Sequence, residues 1–146
     1  MLDTVVIATD GSDSVTRAVD VALDLAGRFD ASVHALSVID ESEVNAAPAE
    51  VKGDMRDALE NRADDALEAV AGKAGGSVTT AVRTGRPAAE ISRYAKDMDA
   101  DLVATGTRGR HGENRFLIGS VAERVVRTCP VPVLTVRQLE EPAGEE

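Results

Sequence analysis

Aromatic residues are almost missing from this chain of 146 residues. It has no tryptophan, one tyrosine (Tyr94) and two phenylalanines, Phe29 and Phe116. The core must therefore be built from Val, Ala, Leu and Ile, and the aromatic platforms on which single-stranded nucleic acids stack have no material. Cysteine is nearly absent too: a lone Cys129 excludes an internal disulfide and points to a reducing compartment. Lysine occurs only at Lys52, Lys73 and Lys96, so arginine supplies 13 of the 16 basic residues. Against 26 acidic residues this leaves a formal net charge of −10. Such a surface repels nucleic-acid phosphates and anionic membranes. Abundant Asp and Glu with few Lys is also the composition of proteins from salt-rich cytoplasms. No apolar run approaches the roughly 20 residues that a membrane span requires, and no charged-then-apolar leader precedes the first apolar run. The expectation is a soluble cytoplasmic protein with no nucleic-acid and no membrane partner.

What is present is globular: 43% of residues are hydrophobic and 29% charged. The length suits one domain, expected over residues 1–138, with an acidic frayed tail over 139–146. Thr4 to Thr9 is a continuous apolar run, as in a central parallel strand covered on both faces. Asp10, Gly11 and Ser12 break it. Val15, Ala18, Val19, Ala22, Leu25, Ala26 and Phe29 then recur at helical spacing, with Ser12 or Asp13 as the expected N-cap. Ser32 to Ile39 is the second strand. Residues 42 to about 50 give no period and read as a mobile loop. Val51, Met55, Leu59, Ala63, Ala66, Leu67, Val70 and Ala74 mark a long second helix that Gly75 ends. Ser77 to Thr84 alternates apolar and polar residues, which places it at a sheet edge. Pro87 suits the first turn of a third helix, with Ile91, Tyr94, Ala95 and Met98 inward. Asp101 to Thr105 is the fourth strand. A fourth helix follows a glycine-rich loop, with Val121, Ala122, Val125, Val126 and Cys129 inward. Val131 to Val136 is the fifth strand, again at an edge because Pro132 cannot donate to a ladder. The alternation predicts an α/β fold: an open five-stranded parallel sheet with helices on both faces.

In such sheets ligands sit beyond the carboxyl ends of the strands, where the strand order reverses. Two polar, glycine-containing loops fall there: Asp10-Gly11-Ser12 after the first strand, and Gly106 to Ser120 after the fourth. Glycines let backbone N–H groups approach an anion, and the unpaired N–H groups of the following helix face its charge. Between Gly106 and Ser120 lie Arg108, Arg110 and Arg115 against one Glu113, a basic island in an acidic chain. These arginines either fork onto phosphate oxygens or make ordinary surface ion pairs. Asp10 either caps the first helix, orients a ribose or holds Mg²⁺ through water. Asp40 reads as a solvated loop residue, with a metal role as the alternative. His34, mid-strand, reads as a satisfied core histidine, His111 as a phosphate contact or loop filler, and Cys129 as structural.

The spacing Gly106-x2-Gly109-x9-Gly119-Ser120 resembles the nucleotide-binding signature of the universal stress protein family. The opening Val5 to Ser12, Gly85-x-Pro87, Asp101-Leu102-Val103 and the closing Cys129 to Val136 are also of that family's type, so the resemblance runs over nearly the whole chain. It implies a Rossmann-like fold of strand order 3-2-1-4-5 and membership of the ATP-binding subgroup, which keeps this signature. It further implies that Ala8, Thr9 and Asp10 lie near the adenosine, with Thr105 beside the nucleoside. Val38 would meet adenine through its backbone. Gly106 and Gly109 would approach ribose and phosphates, and Gly119, Ser120 and Val121 the outer phosphates; Arg108, from the basic island between them, is the further candidate for a phosphate contact. Ala8 stands where a proline is common, and Thr105 where many members carry a larger apolar residue; both departures bear on the adenine pocket. The implied ligand is ATP or another adenine nucleotide, with Mg²⁺ as an optional companion, and the implied assembly is a homodimer through the fifth strand, Val131 to Val136.

No catalytic constellation emerges. No histidine is placed to activate Ser12 or Ser14, and there is no Gly-x4-Gly-Lys-Ser/Thr loop. A nucleotide bound here is expected to be a regulatory ligand. The alternatives are a slow ATP-hydrolysing or pyrophosphatase-type enzyme, faintly suggested by Asp10 to Ser14, and a chaperone-like stress protein that binds no nucleotide.

Overall fold

The computed structural model describes residues 2–107 and 118–139. Five parallel strands form one sheet: β1 (Thr4–Ala8), β2 (Ser32–Asp40), β3 (Val78–Gly85), β4 (Leu102–Gly106) and β5 (Val133–Val136). Their order is β3-β2-β1-β4-β5, as expected, with β3 and β5 at the edges. The helices are α1 (Thr16–Phe29), α2 (Glu41–Ala46), α3 (Lys52–Ala74), α4 (Pro87–Asp97) and α5 (Ser120–Thr128).

Successive residues of β1 point to opposite faces, and this sorts the core. Val5 and Ile7 pack with Val19 and Ala22 of α1 and Leu67 and Val70 of α3. Val6 and Ala8 pack on the other face with Ile91 and Tyr94 of α4 and Val125 of α5. A smaller cluster, Ile39, Val44, Leu59 and Ala63, closes α2 and α3 over the end of β2.

Polar side chains fasten this frame at two places. Asp101 Oδ2 accepts the N–H groups of Asp3 at 2.8 Å and Thr4 at 3.0 Å, which joins the entrance of β4 to that of β1. These two bonds hold the Asp101 carboxyl below the usual aspartate range, against a smaller opposing effect of burial. His34 Nδ1 lies 2.8 Å from the Tyr94 hydroxyl, tying β2 to α4, and the Arg83 guanidinium sits over the Tyr94 ring. Burial pushes the Tyr94 phenol up, and the charge of Arg83 partly offsets that.

Several expectations are corrected. Residues 42–50 are not an irregular loop: α2 spans Glu41–Ala46, and a 3₁₀ turn covers Ala49–Val51. Asp40, expected in a solvated loop, instead ends β2 and caps α2: its Oδ1 accepts the Ser42 N–H at 2.9 Å. Ser12 caps a short 3₁₀ turn at Asp13–Val15 without a side-chain bond, and α1 itself starts at Thr16. Val121 and Val126 are 40% and 51% exposed, so the buried seam of α5 is only Ala122 and Val125. Phe29, Val51 and Met55 also lie outside the core. The fifth strand starts at Val133, two residues after Val131, because Pro132 contributes only its carbonyl, which accepts the Val103 N–H.

Candidate functional site

The strand order reverses at β1, which has β2 on one side and β4 on the other. The carboxyl ends of these three strands therefore diverge and leave a crevice. The loop after β1 is held by its own side chains. Asp10 Oδ1 accepts the Ser12 N–H at 2.9 Å, and Thr9 Oγ1 accepts the Gly11 N–H at 3.1 Å. Gly11 has φ +77°, and a Cβ there would stand 3.0 Å from the Cβ of Ala66. Glycine alone suits both the backbone and the close approach of α3.

Across the crevice, α5 starts at Ser120 with Gly119 as its N-cap. The Gly119 N–H donates to the Thr107 carbonyl at 2.5 Å, which fixes the helix start beside the exit of β4. The N-cap glycine offers no side-chain acceptor, and no side chain caps the helix. Its first-turn N–H groups thus present partial positive charge along the crevice.

The crevice is a cavity of about 260 Å³. Its wall includes Ala8, Thr9 and Asp10 from the end of β1, Val38 from β2, Thr105 and Gly106 from β4, and Gly119, Ser120 and Val121 from the start of α5. Nine residues singled out in the sequence thus meet around one space, although they come from four separate stretches. Arg108 and Gly109 lie outside the described residues, as do Arg110, His111 and Arg115.

Three parts of the wall went unrecognised in the sequence. Leu36, Pro87 and Ile91 provide an apolar flank beside Val38. Leu59 and Ala63 of α3 close the space from the other side of β2. Asp40 and Glu43 make one end acidic. The signal for the last was Asp40-x-x-Glu43, an N-cap residue with a glutamate three positions on. Among the described residues no group of three or more His, Cys, Asp or Glu could hold a metal ion. His34 is engaged with Tyr94 and does not line the cavity.

In open α/β domains a cavity at the topological switch point, faced by a helix start, is the usual place of a ligand site. The sequence profile of the universal stress protein family matches residues 1–137, and the chain belongs to that family. A universal stress protein of Methanocaldococcus jannaschii is 39% identical over 138 residues, 92% of this chain and 81% of that one. Among solved structures, the universal stress protein UspA from Lactobacillus plantarum is 26% identical with a TM-score of 0.78, covering 93% of this chain and 98% of its own. Another universal stress protein, solved in complex with cAMP, is 25% identical with a TM-score of 0.68, covering 94% and 98%. Among the described residues no helix is long and apolar enough to cross a membrane.

Proposed function

We propose that this chain binds an adenine nucleotide, ATP foremost, in the cavity between β1, β2 and β4, and that it acts as a nucleotide-responsive stress module. The observation that carries this is the uncapped start of α5, which lines the same cavity as Gly106 and the apolar flank of Val38 and Ile91. The helix start and the glycines suit phosphates, and the flank suits a flat base. The cAMP-bound relative supports an adenine nucleotide as the class of ligand. In this arrangement the Val38 backbone meets the base, and Ala8, Thr9, Asp10 and Thr105 surround the ribose. Gly106, Gly119, Ser120 and Val121 hold phosphates, with Arg108 and Gly109 adding to them. Mg²⁺, where present, would be held mainly by the phosphates, with Asp10 as the acidic residue of the β1 end nearest to supply a further ligand.

Two experiments test this. Purified protein is denatured, and released nucleotide is identified by absorbance and mass; ATP or a related adenylate is expected. Gly119→Val is then compared with wild type by calorimetric titration. Gly119 has φ −71° and ψ 160°, a conformation valine adopts readily, so the fold should survive. The added isopropyl group obstructs the approach to the helix start. Losing a hydrogen bond to a charged oxygen is worth roughly 1.5–3 kcal/mol, a drop of about ten- to a hundredfold in affinity. Undiminished affinity would place the phosphates elsewhere.

The same module is proposed to work as a homodimer paired across β5. That strand is an open sheet edge, and Val126 on the neighbouring α5 is half exposed. Light scattering should give twice the monomer mass; a monomer at micromolar concentration would remove the dimer from the proposal.

A further inference from the structure

The cavity has two chemically different ends. At the start of α5 it presents N–H donors. At the end of β2 its wall includes the acidic residues Asp40 and Glu43, and a carboxylate accepts hydrogen bonds without donating them. Asp40 is held in place. Its Oδ1 accepts both the N–H of Ser42 at 2.9 Å and the hydroxyl of Ser42 at 2.7 Å. Both bonds fall on one oxygen, and Oδ2 accepts from no other described residue. Asp40 also follows Val38 by two residues in the same ladder, pairing with Gly85 as Val38 pairs with Arg83. The two side chains therefore leave β2 on the same face, where Val38 packs with Leu36 and Ile91. A fixed acceptor thus stands at the rim of the apolar flank.

We propose that Asp40 Oδ2 accepts a hydrogen bond from the exocyclic amino group of the nucleobase, so that the site selects an amino-bearing purine over its 6-oxo counterpart. This rests on the nucleotide site proposed above and assigns what sets the identity of its base. Adenine turns a donor toward the carboxylate. Hypoxanthine turns a carbonyl oxygen toward it, and two acceptors then face each other beside the second negative charge of Glu43. A site that hydrogen-bonds one group disfavours the analogue that lacks it, because the half-buried acceptor is then left facing another acceptor.

ATP and ITP, which differ in the base by this amino-for-oxo exchange at C6 and by the proton that hypoxanthine then carries on N1, are titrated against wild type and Asp40→Asn, so that the change of their ratio between the two proteins isolates the Asp40 contact. Asparagine is as good an N-cap as aspartate. Its carbonyl can keep the bonds to Ser42, while its amide places a donor where Oδ2 was. Wild type should prefer ATP. Asp40→Asn should bind ATP more weakly and ITP more tightly, shifting the ratio of the two affinities by about tenfold or more. Asp40→Ser keeps a capping hydroxyl without a carboxylate and should lose ATP affinity without gaining ITP. Thermal melts of both variants confirm that they are folded. If wild type binds ATP and ITP equally, or if Asp40→Asn leaves their ratio unchanged, this assignment is overturned while the nucleotide site stands. If wild type binds neither, the nucleotide site itself falls.

Discussion

Tyr94 is 2% exposed, so its hydroxyl must be satisfied inside the fold. His34 Nδ1 meets it at 2.8 Å. Tyr94→Phe keeps the ring and its packing but leaves the half-buried imidazole without that partner. We expect a loss of about 0.5–1.5 kcal/mol, measured by urea unfolding; no loss would mean that solvent replaces the hydroxyl. Asp101 makes a pH-dependent contribution whose sign is fixed by its environment. Its carboxyl is held below the ordinary aspartate value by the N–H groups of Asp3 and Thr4. The folded state therefore binds this proton less readily than the unfolded chain. The stabilisation is fully present above the unfolded value of about 3.9 and is lost as pH falls through the lower folded value. Asp101→Asn should melt below wild type near neutrality, and the gap should narrow in acid. A gap independent of pH would show that charge plays no part. The sequence placed Asp101 at the start of a strand, but its role as a clip between β1 and β4 needs the pairing of strands 97 residues apart.

At the scale of elements, what could be read in advance follows from how each element is stabilised. β1 and β4 were legible because strands covered on both faces are continuously apolar. β3 was legible as an edge because it alternates. α2 was not, because its six residues carry a single buried apolar side chain, Val44. Its helicity comes from the Asp40 cap and from Val44 docking on Leu59 and Ala63, contacts that no local period reveals. The acidic end of the cavity was missed for the same reason, since it exists only once α2 folds back from β2. Val121 and Val126 failed differently: helical spacing identifies an apolar stripe, but only the neighbours decide how wide a stripe is covered. The glycine positions at the strand ends were legible because backbone demands are written locally. If Asp40 nucleates α2, Asp40→Ala should destabilise the protein by roughly 0.5–2 kcal/mol while Asp40→Asn should not. Hydrogen exchange at 41–46 would locate the effect, and equal protection in both variants would remove the cap as the cause.

Over the whole molecule, charge is strongly unbalanced. The chain carries 26 acidic and 16 basic side chains. Described ion pairs such as Arg28–Asp24 at 2.8 Å and Lys73–Asp20 at 2.9 Å are well exposed, and pairs of that kind contribute roughly 0–1 kcal/mol each. The excess of like charge repels itself throughout the compact state. Salt acts on both sets: the Debye length falls from about 10 Å at 0.1 M to about 3 Å at 1 M. That screening weakens the ion pairs slightly, but it removes a repulsion spread over many more acid–acid pairs. Stability should therefore rise from low to molar KCl. The choice of salt matters, because sulfate would strengthen apolar burial in any protein. A gain of about 1 kcal/mol would raise the melting midpoint by roughly 2–4 °C for a chain of this size. A flat or falling midpoint across the KCl series would mean that local pairs such as these outweigh the net charge of −10, and that the acidic composition is not an adaptation to salt.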